Sequence, residues 1–245
     1  MRTIRIYVDQ PLKTGIEISL PRQAAAHVAR VLRLRIGDPL VLFNGDGVDY
    51  AGELIESDAR EARVRVRAER AAAGESPLRI TLAQALARGE KMDWIVQKAT
   101  ELGVASIVPL ITERSEVKLD SARAHKRVAH WRGVAIGACE QSGRARIPAI
   151  HAPDTLQAWL RLLDPQTHET RLALLPDGEL GPRGLGRIEE DVLLAIGPEG
   201  GFGESDIAAL RNAGFRGLTL GPRILRTETA GIAAIAALQA LHEDV

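Results

Sequence analysis

Cysteine is almost missing. Cys139 is the only one in 245 residues, which excludes an internal disulfide and any zinc or iron–sulfur site built from several thiolates. It reads as a small buried helix residue. Aromatic residues make up only 3% of the chain, so a broad stacking platform for successive bases is not expected. Phe43, Tyr50 and Phe202 each fit the core or a single stacking ring. No apolar run approaches the roughly 20 residues that span a bilayer. The stretch Met1 to Lys13 has no apolar block with a cleavage site, so the chain is expected to stay in the cytoplasm. The six histidines (His27, His125, His130, His151, His168, His242) form no close ligand pair, and no metal is expected.

Net charge is absent as well, with 32 basic and 32 acidic side chains, but the charges are unevenly placed. Residues 1–72 carry 12 basic and 10 acidic groups, residues 73–150 carry 12 and 8, and residues 151–245 carry 8 and 14. The basic surplus therefore lies in the first 150 residues. Of the cations 27 are arginine and 5 lysine. The planar guanidinium fork suits phosphates and base edges, although a GC-rich coding sequence gives the same excess.

The first 72 residues read as a small barrel-like β module with one helix. Ile4, Ile6 and Val8 alternate with polar neighbours, as do Ile16, Ile18 and Leu20. Pro39–Phe43 leads through the turn Asn44-Gly45-Asp46-Gly47 into a strand ending near Leu54. Val64 and Val66 alternate with Arg63, Arg65 and Arg67, which predicts a half-buried strand with an arginine face. Ala24, His27, Val28, Val31 and Leu32 recur at helical spacing between Pro21 and Leu34. The small and polar stretch Ala71 to Pro77 marks a domain boundary, and residues 77–245 then alternate strands with helices. Strands fit 80–85, 106–110, 149–151, 172–175, 192–196 and 218–220. Helices fit 89–102, 121–141, 154–163, 204–212 and 228–241. The last helix is apolar on nearly every side, so it must be covered all round, by its own domain or by a second subunit.

Two glycine-rich strand ends in the acidic last third carry the candidate chemistry. One is Ile196-Gly197-Pro198-Glu199-Gly200-Gly201-Phe202. The other is Leu220-Gly221-Pro222-Arg223-Ile224-Leu225-Arg226-Thr227-Glu228-Thr229-Ala230. Each runs from a strand into a helix, where ligands of open α/β sheets bind and glycine lets a backbone approach closely. Neither matches the dinucleotide pattern or the P-loop, and no G-x-S-x-G elbow exists, which argues against an ordinary dehydrogenase, NTPase or serine hydrolase. A third segment, Glu140-Gln141-Ser142-Gly143-Arg144-Ala145-Arg146, closes a basic helix. Gln141 suits a base edge and Arg144 and Arg146 suit phosphates, but cations at a helix C-terminus also complement its dipole.

These three segments, together with Lys98-Ala99-Thr100-Glu101-Leu102-Gly103-Val104 and His27 to Arg33 followed by Gly37-Asp38, resemble the ribosomal RNA small subunit methyltransferase E family along essentially the whole chain. The resemblance implies a PUA-like RNA-binding domain over residues 1–72. Over residues 77–245 it implies an α/β SPOUT methyltransferase domain with a C-terminal trefoil knot, assembled as a homodimer. It implies S-adenosylmethionine as cofactor, small-subunit (16S) ribosomal RNA or the 30S subunit as partner, and methylation of a uridine at N3. The cofactor would be held by Leu175 and Pro176, by Ile196, Gly197, Gly200 and Gly201, and by Leu220, Gly221, Ile224, Leu225, Thr229 and Ala230. Arg226 would stabilise negative charge on the uracil, and Glu199 or Glu228 would take the proton or fix a neighbouring arginine. Arg223, Gln141, Arg144, Arg146 and the N-terminal Arg30, Arg33 and Arg35 would hold RNA. A different reading is an RNA-binding or assembly protein with a degenerate pocket. Within the enzyme class, the rival is methylation of a ribose 2′-hydroxyl or another base.

Overall fold

A computed structural model describes residues 3–58, 60–116, 121–167, 169–186, 188 and 191–241; His168 and His242 lie outside the described residues. The chain forms two compact units, Met1–Glu75 with Cys139–Ile147, and Ser76–Ala138 with Pro148–Val245.

In the first unit, β1 (Arg5–Tyr7), β2 (Glu17–Ser19), β3 (Pro39–Phe43), β4 (Val48–Ser57) and β5 (Ala62–Ala71) form one sheet in the order β1-β3-β4-β5-β2. β1 runs parallel to β3 and the other neighbours are antiparallel. The turn into β4 forms because Gly45 and Gly47 take φ of 99° and 92°, while Asn44 and Asp46 accept hydrogen bonds two residues on. Alternation puts Ile18, Leu54, Val64 and Val66 into the core. The outward arginines of β5 are neutralised. Arg63 and Arg65 meet Glu17 at 2.6 and 2.7 Å, and Arg67 meets Glu53 at 2.7 Å.

The expected first helix splits into α1 (Arg22–Ala26) and a π-helical turn over His27–Leu32. Closing at Arg33 with φ of 52°, the wider turn rotates the register, so Val28 stays buried while Val31 is 66% exposed. Val31 therefore does not join the apolar stripe that helical spacing predicts.

The second unit is a parallel α/β sheet. Its strands are β6 (Arg79–Ala85), β7 (Ser106–Ile111), β8 (Ala149–Ile150), β9 (Asp154–Thr155), β10 (Thr170–Leu174), β11 (Asp191–Ile196) and β12 (Arg216–Leu218). Their order is β12-β10-β11-β6-β7-β8, with β9 also beside β7, and every pairing is parallel. Both faces of such a sheet are covered, and β11 is accordingly buried from Val192 to Ile196. The helices are α2 (Lys91–Glu101), α3 (Ser121–Ser142), α4 (Leu156–Arg161), α5 (Glu204–Asn212) and α6 (Thr227–Leu241). Several boundaries shift by one or two residues from the sequence reading, and two of the shifts have a visible cause. Asp154–Thr155 pair with β7, so α4 starts two residues late, capped by Thr155 Oγ1 accepting from Ala158 N at 3.1 Å. The last strand ends at Leu218, because Thr219 N turns to the carbonyl of Leu180 at 2.8 Å. On α6, Ala230, Ala234, Ile235 and Leu238 are buried while Ile232, Ala233 and Ala236 stay half-buried. A single chain thus leaves one side of this apolar helix partly open.

Candidate active site

β10, β11 and β12 are neighbours, and the loops at their carboxyl ends line one cleft of about 720 Å³. It lies beside β6, where the chain order reverses, the position at which open α/β sheets bind ligands. Residues 174–177 follow β10, residues 196–202 follow β11, and residues 219–227 with Ala230 follow β12. The volume suits a nucleoside-sized ligand, and the lining is largely apolar, with Leu175, Pro176, Ile196, Leu220, Ile224 and Leu225 beside exposed main chain. Gly197 packs too tightly for a side chain: a Cβ there would meet Phe202 N at 3.0 Å and Gly201 C at 3.2 Å. Gly201, with φ of 69°, closes the turn by donating its N–H to Pro198 O at 2.9 Å. Glycine at these points leaves main-chain N–H and C=O groups as the polar lining.

Buried polar groups hold the loops in place. Asp206 on α5 is fully buried, and its Oδ2 accepts from Gly203 N at 3.2 Å and Glu113 N at 3.0 Å. Thr227 Oγ1 donates to Gly197 O at 2.6 Å and accepts from the buried Gln84 Nε2 at 2.9 Å. One hydroxyl therefore joins the β11 loop, the start of α6 and the central strand β6. Arg114 adds a hydrogen bond from Nη1 to Gly200 O at 3.0 Å.

Lys91, at the start of α2, binds both candidate glutamates. Its Nζ is 2.9 Å from Glu199 Oε1 and 3.6 Å from Glu228 Oε2. Glu199 also accepts the Arg88 N–H at 3.1 Å. Burial pushes the Glu199 carboxyl up, but Lys91 and the backbone donors outweigh it and hold the group below its ordinary value. In return the Glu199 carboxylate holds the Lys91 ammonium above its own. The exposed side chains of Arg223 and Arg226 stand at the rim of the same cleft. Among the sequence-derived candidates of this region, all but Thr229 and Glu228 line the cleft; Thr229 is exposed on α6, and Glu228 joins through Lys91.

The RNA-binding candidates of the first unit fall into two groups. Arg30, Arg33 and Arg35 are exposed on and after the π-helical turn, and Gln141 and Arg146 are exposed as well. Arg144 differs: it is 3% exposed, and its Nη2 meets Glu75 Oε2 at 3.0 Å. Glu75 Oε1 also accepts from the N–H groups of Ala145 and Arg146 at 3.0 and 2.7 Å. Arg144 therefore builds the corner that ends α3, a placement that disfavours phosphate contact.

Comparison with known proteins agrees with this layout. The family model described as RNA methyltransferase domain matches residues 74–239, and that described as RNA methyltransferase PUA domain matches residues 20–67. Ribosomal RNA small subunit methyltransferase E of Buchnera aphidicola is 34% identical over 244 residues, covering 100% of this chain and 98% of that protein. The chain belongs to the ribosomal RNA small subunit methyltransferase E family. A member from Neisseria gonorrhoeae, solved bound to S-adenosyl methionine, is 35% identical with a TM-score of 0.91 and 98% of both chains covered. A methyltransferase from Legionella pneumophila, solved with the bound cofactor SAM, is 42% identical with a TM-score of 0.92, again over 98% of both chains.

In this member of the methyltransferase E family, sequence reading found the glycine loops but missed Lys91, Arg114, Gln84 and Asp206. Lys91 follows Gly89-Glu90 in an unremarkable helix start, and Gln84 and Asp206 read as ordinary polar residues until the fold buries them. The one available signal was Gln84 itself, a polar residue inside an otherwise apolar strand. Among the described residues, no cluster of three or more histidine, cysteine or acidic side chains is placed to hold a metal, and no helix is long and apolar enough to cross a membrane.

Proposed function

We propose that this chain uses S-adenosylmethionine to methylate N3 of an unpaired uridine in small-subunit (16S) ribosomal RNA. The observation that carries the reading is the convergence of three loops from adjacent parallel strands on one cleft with two arginines at its rim. The residues present fit the cofactor. Leu175, Ile196, Leu220 and Leu225 offer an apolar slot for adenine, and Gly197, Gly200, Gly201 and Gly221 bring main chain to the cleft wall with no side chain over it, the Gly197 and Gly200 carbonyls each already accepting one hydrogen bond, from Thr227 and Arg114. When bound, the cofactor supplies a methyl group on a sulfonium, which leaves without its positive charge.

The protein's own task is to make uracil N3 a nucleophile, because that nitrogen carries a proton until it is removed. Arg226 would hold the developing negative charge on the uracil, and Arg223 would hold a neighbouring phosphate. Of the two glutamates, Glu199 is tied by Lys91 and Arg88 N–H, which supports a positioning role. Glu228, farther from Lys91 and set back from the cleft lining, would take the N3 proton through water. A paired uridine hides N3, so the base must be unpaired or flipped. Arg30, Arg33, Arg35, Gln141 and Arg146 would orient the RNA. The half-buried side of α6 supports a homodimer, and the family resemblance extends the reading to a C-terminal trefoil knot.

The test is nucleoside mass spectrometry of 16S ribosomal RNA and of 30S subunits after incubation with the protein and S-adenosylmethionine. The expected product is uridine carrying the added mass on its base fragment, co-eluting with 3-methyluridine. Added mass on the ribose fragment would assign the chain to 2′-hydroxyl chemistry instead.

A further inference from the structure

The longest helix, α3, whose residues up to Ala138 belong to the second unit, carries charge in an order that helix physics disfavours. Over Ser121–Ser142, α3 holds Arg123, Lys126, Arg127 and Arg132 against one acidic residue, Glu140 in its last turn, with Asp120 next before it in the sequence. Three of these cations occupy its first two turns, at the positive end of the helix dipole, where acidic residues are preferred. Arg123 and Arg127 are also spaced i,i+4, which sets like charges on one face. All four are exposed. Among the described residues, the Asp93 carboxylate of α2 is held by His130 Nε2 at 2.6 Å and Trp131 Nε1 at 3.1 Å, and Arg123, His125 and Arg132 have contacts of their own. Trp131, Ala135 and Ala138 are buried, so packing fixes which face looks outward.

At 3.6 residues per turn, Arg123, Lys126 and Arg127 fall on one outward stripe, continued by Gly133 and Gly137, around which a side chain would meet nothing within 4 Å. Local choices that oppose the fold's own preferences are expected where function demands them. A row of cations leading onto a smooth, open helix face suits the evenly spaced charges and close approach of a ribose–phosphate backbone. A membrane surface is disfavoured, because helices that lie in a bilayer interface carry bulky apolar anchors beside their cations, whereas the outward positions here are Ala129, Gly133 and Gly137. Arg114, which lines the cleft, precedes Ser121 by seven residues. Chain geometry keeps the helix start within about 25 Å of it, a few nucleotides of single strand.

We propose that the outward face of α3, led by Arg123, Lys126 and Arg127, is a docking ridge for the sugar–phosphate backbone of the RNA whose base enters the cleft. This rests on RNA being the substrate. The test uses the full-length Lys126→Ala/Arg127→Ala variant and a 16S ribosomal RNA transcript, with binding measured from about 50 to about 300 mM salt. Loss of two phosphate contacts predicts a fall of about 1.4 in the slope of log affinity against log salt, and roughly 20-fold weaker binding at 0.1 M salt. S-adenosylmethionine affinity should be unchanged. The melting temperature should hold or rise, because cations have left the positive end of a helix; a structural role would lower it.

A second measurement needs no variant: RNA should shield Lys126 of the wild-type protein from acetylation, read by peptide mapping. Unchanged affinity and slope in the variant, or Lys126 equally acetylated with and without RNA, overturns the ridge while leaving the methyltransferase reading intact. Wild-type protein that binds phosphatidylserine vesicles through this helix but not RNA would overturn both.

Discussion

Thr227→Val removes one hydroxyl and keeps the shape of the side chain, so it isolates the polar link among the β11 loop, α6 and β6. The hydroxyl donates to Gly197 O at 2.6 Å and accepts from Gln84 Nε2 at 2.9 Å. Gln84 is fully buried, and its remaining donor contact is to Ala85 O at 3.1 Å. Stranding one of its N–H groups costs about 1–3 kcal/mol, and the Gly197 carbonyl, which borders the cleft, loses about 0.5–1.5 kcal/mol. The sum is about 1.5–4.5 kcal/mol, or a fall of roughly 3–18 °C in the melting temperature of a domain of this size. Because Gly197 belongs to the proposed cofactor loop, calorimetry should also show weaker S-adenosylmethionine binding. Adding Gln84→Met should recover part of the stability, since replacing both partners by apolar groups is less costly than orphaning one. It should not recover the cofactor affinity, because the Gly197 carbonyl stays unheld. A Thr227→Val protein with wild-type melting temperature and wild-type cofactor affinity would refute the idea that this hydroxyl fixes the cleft.

Arg226→Ala should lower single-turnover methylation at saturating RNA by about 10²–10³-fold with cofactor affinity little changed, and a near-normal rate would remove its electrostatic role. Lys91→Met should free Glu199 and Glu228 and weaken cofactor binding measured by calorimetry, whereas Lys91→Arg should restore much of it. Glu199 titrates below its usual 4.5 and Lys91 above its usual 10.5, so both are charged between those values. Their tie is lost only as pH falls through the lowered Glu199 value or rises through the raised Lys91 value, and wild-type cofactor affinity should show no step from this pair at neutral pH. Burial pushes the Cys139 thiol up to about 11, so it should resist alkylation at pH 8 until the first unit opens, and rapid labelling of the native protein would contradict its burial. Glu75→Ala should destabilise the first unit by about 3–5 kcal/mol, read by denaturant unfolding, because it removes the carboxylate from a buried arginine.

What the sequence revealed and what it hid follow from how each part is built. Glycine loops at strand ends are legible because their conformations demand specific residues: Gly201 and Gly221 take φ of 69° and 96°, which other residues rarely adopt. The parallel sheet is legible because strands buried on both faces read as continuous apolar runs, as Val192 to Ile196 does. Split helices are not, since π and α turns share their residue preferences and differ by one hydrogen-bond step, so Val31 turned outward against its spacing. Long-range polar pairs are hidden for a different reason. Glu75 and Arg144 are separated by 69 positions and Gln84 and Thr227 by 143, and nothing local to either partner marks the other.

That separation also decides which residues should tolerate change in the cleft. Its apolar lining, Leu175, Ile196, Leu220 and Leu225, needs only volume and can be exchanged for similar side chains at small cost. The groups that set loop position are few and polar, and each serves more than one element. Asp206 caps α5 and holds Glu113 N, Thr227 holds the β11 loop and Gln84, and Lys91 holds Glu199 and Glu228. Transition-state placement depends on such preorganised groups far more than on the slot's exact contour. The rate of methyl transfer should therefore be more sensitive to Thr227→Val, which alters no cleft volume, than to Leu220→Met, which alters the lining itself. Single-turnover rates for the two variants at saturating cofactor and RNA settle the order, and a greater loss from Leu220→Met would mean that the apolar walls, not the polar ties, position the reaction.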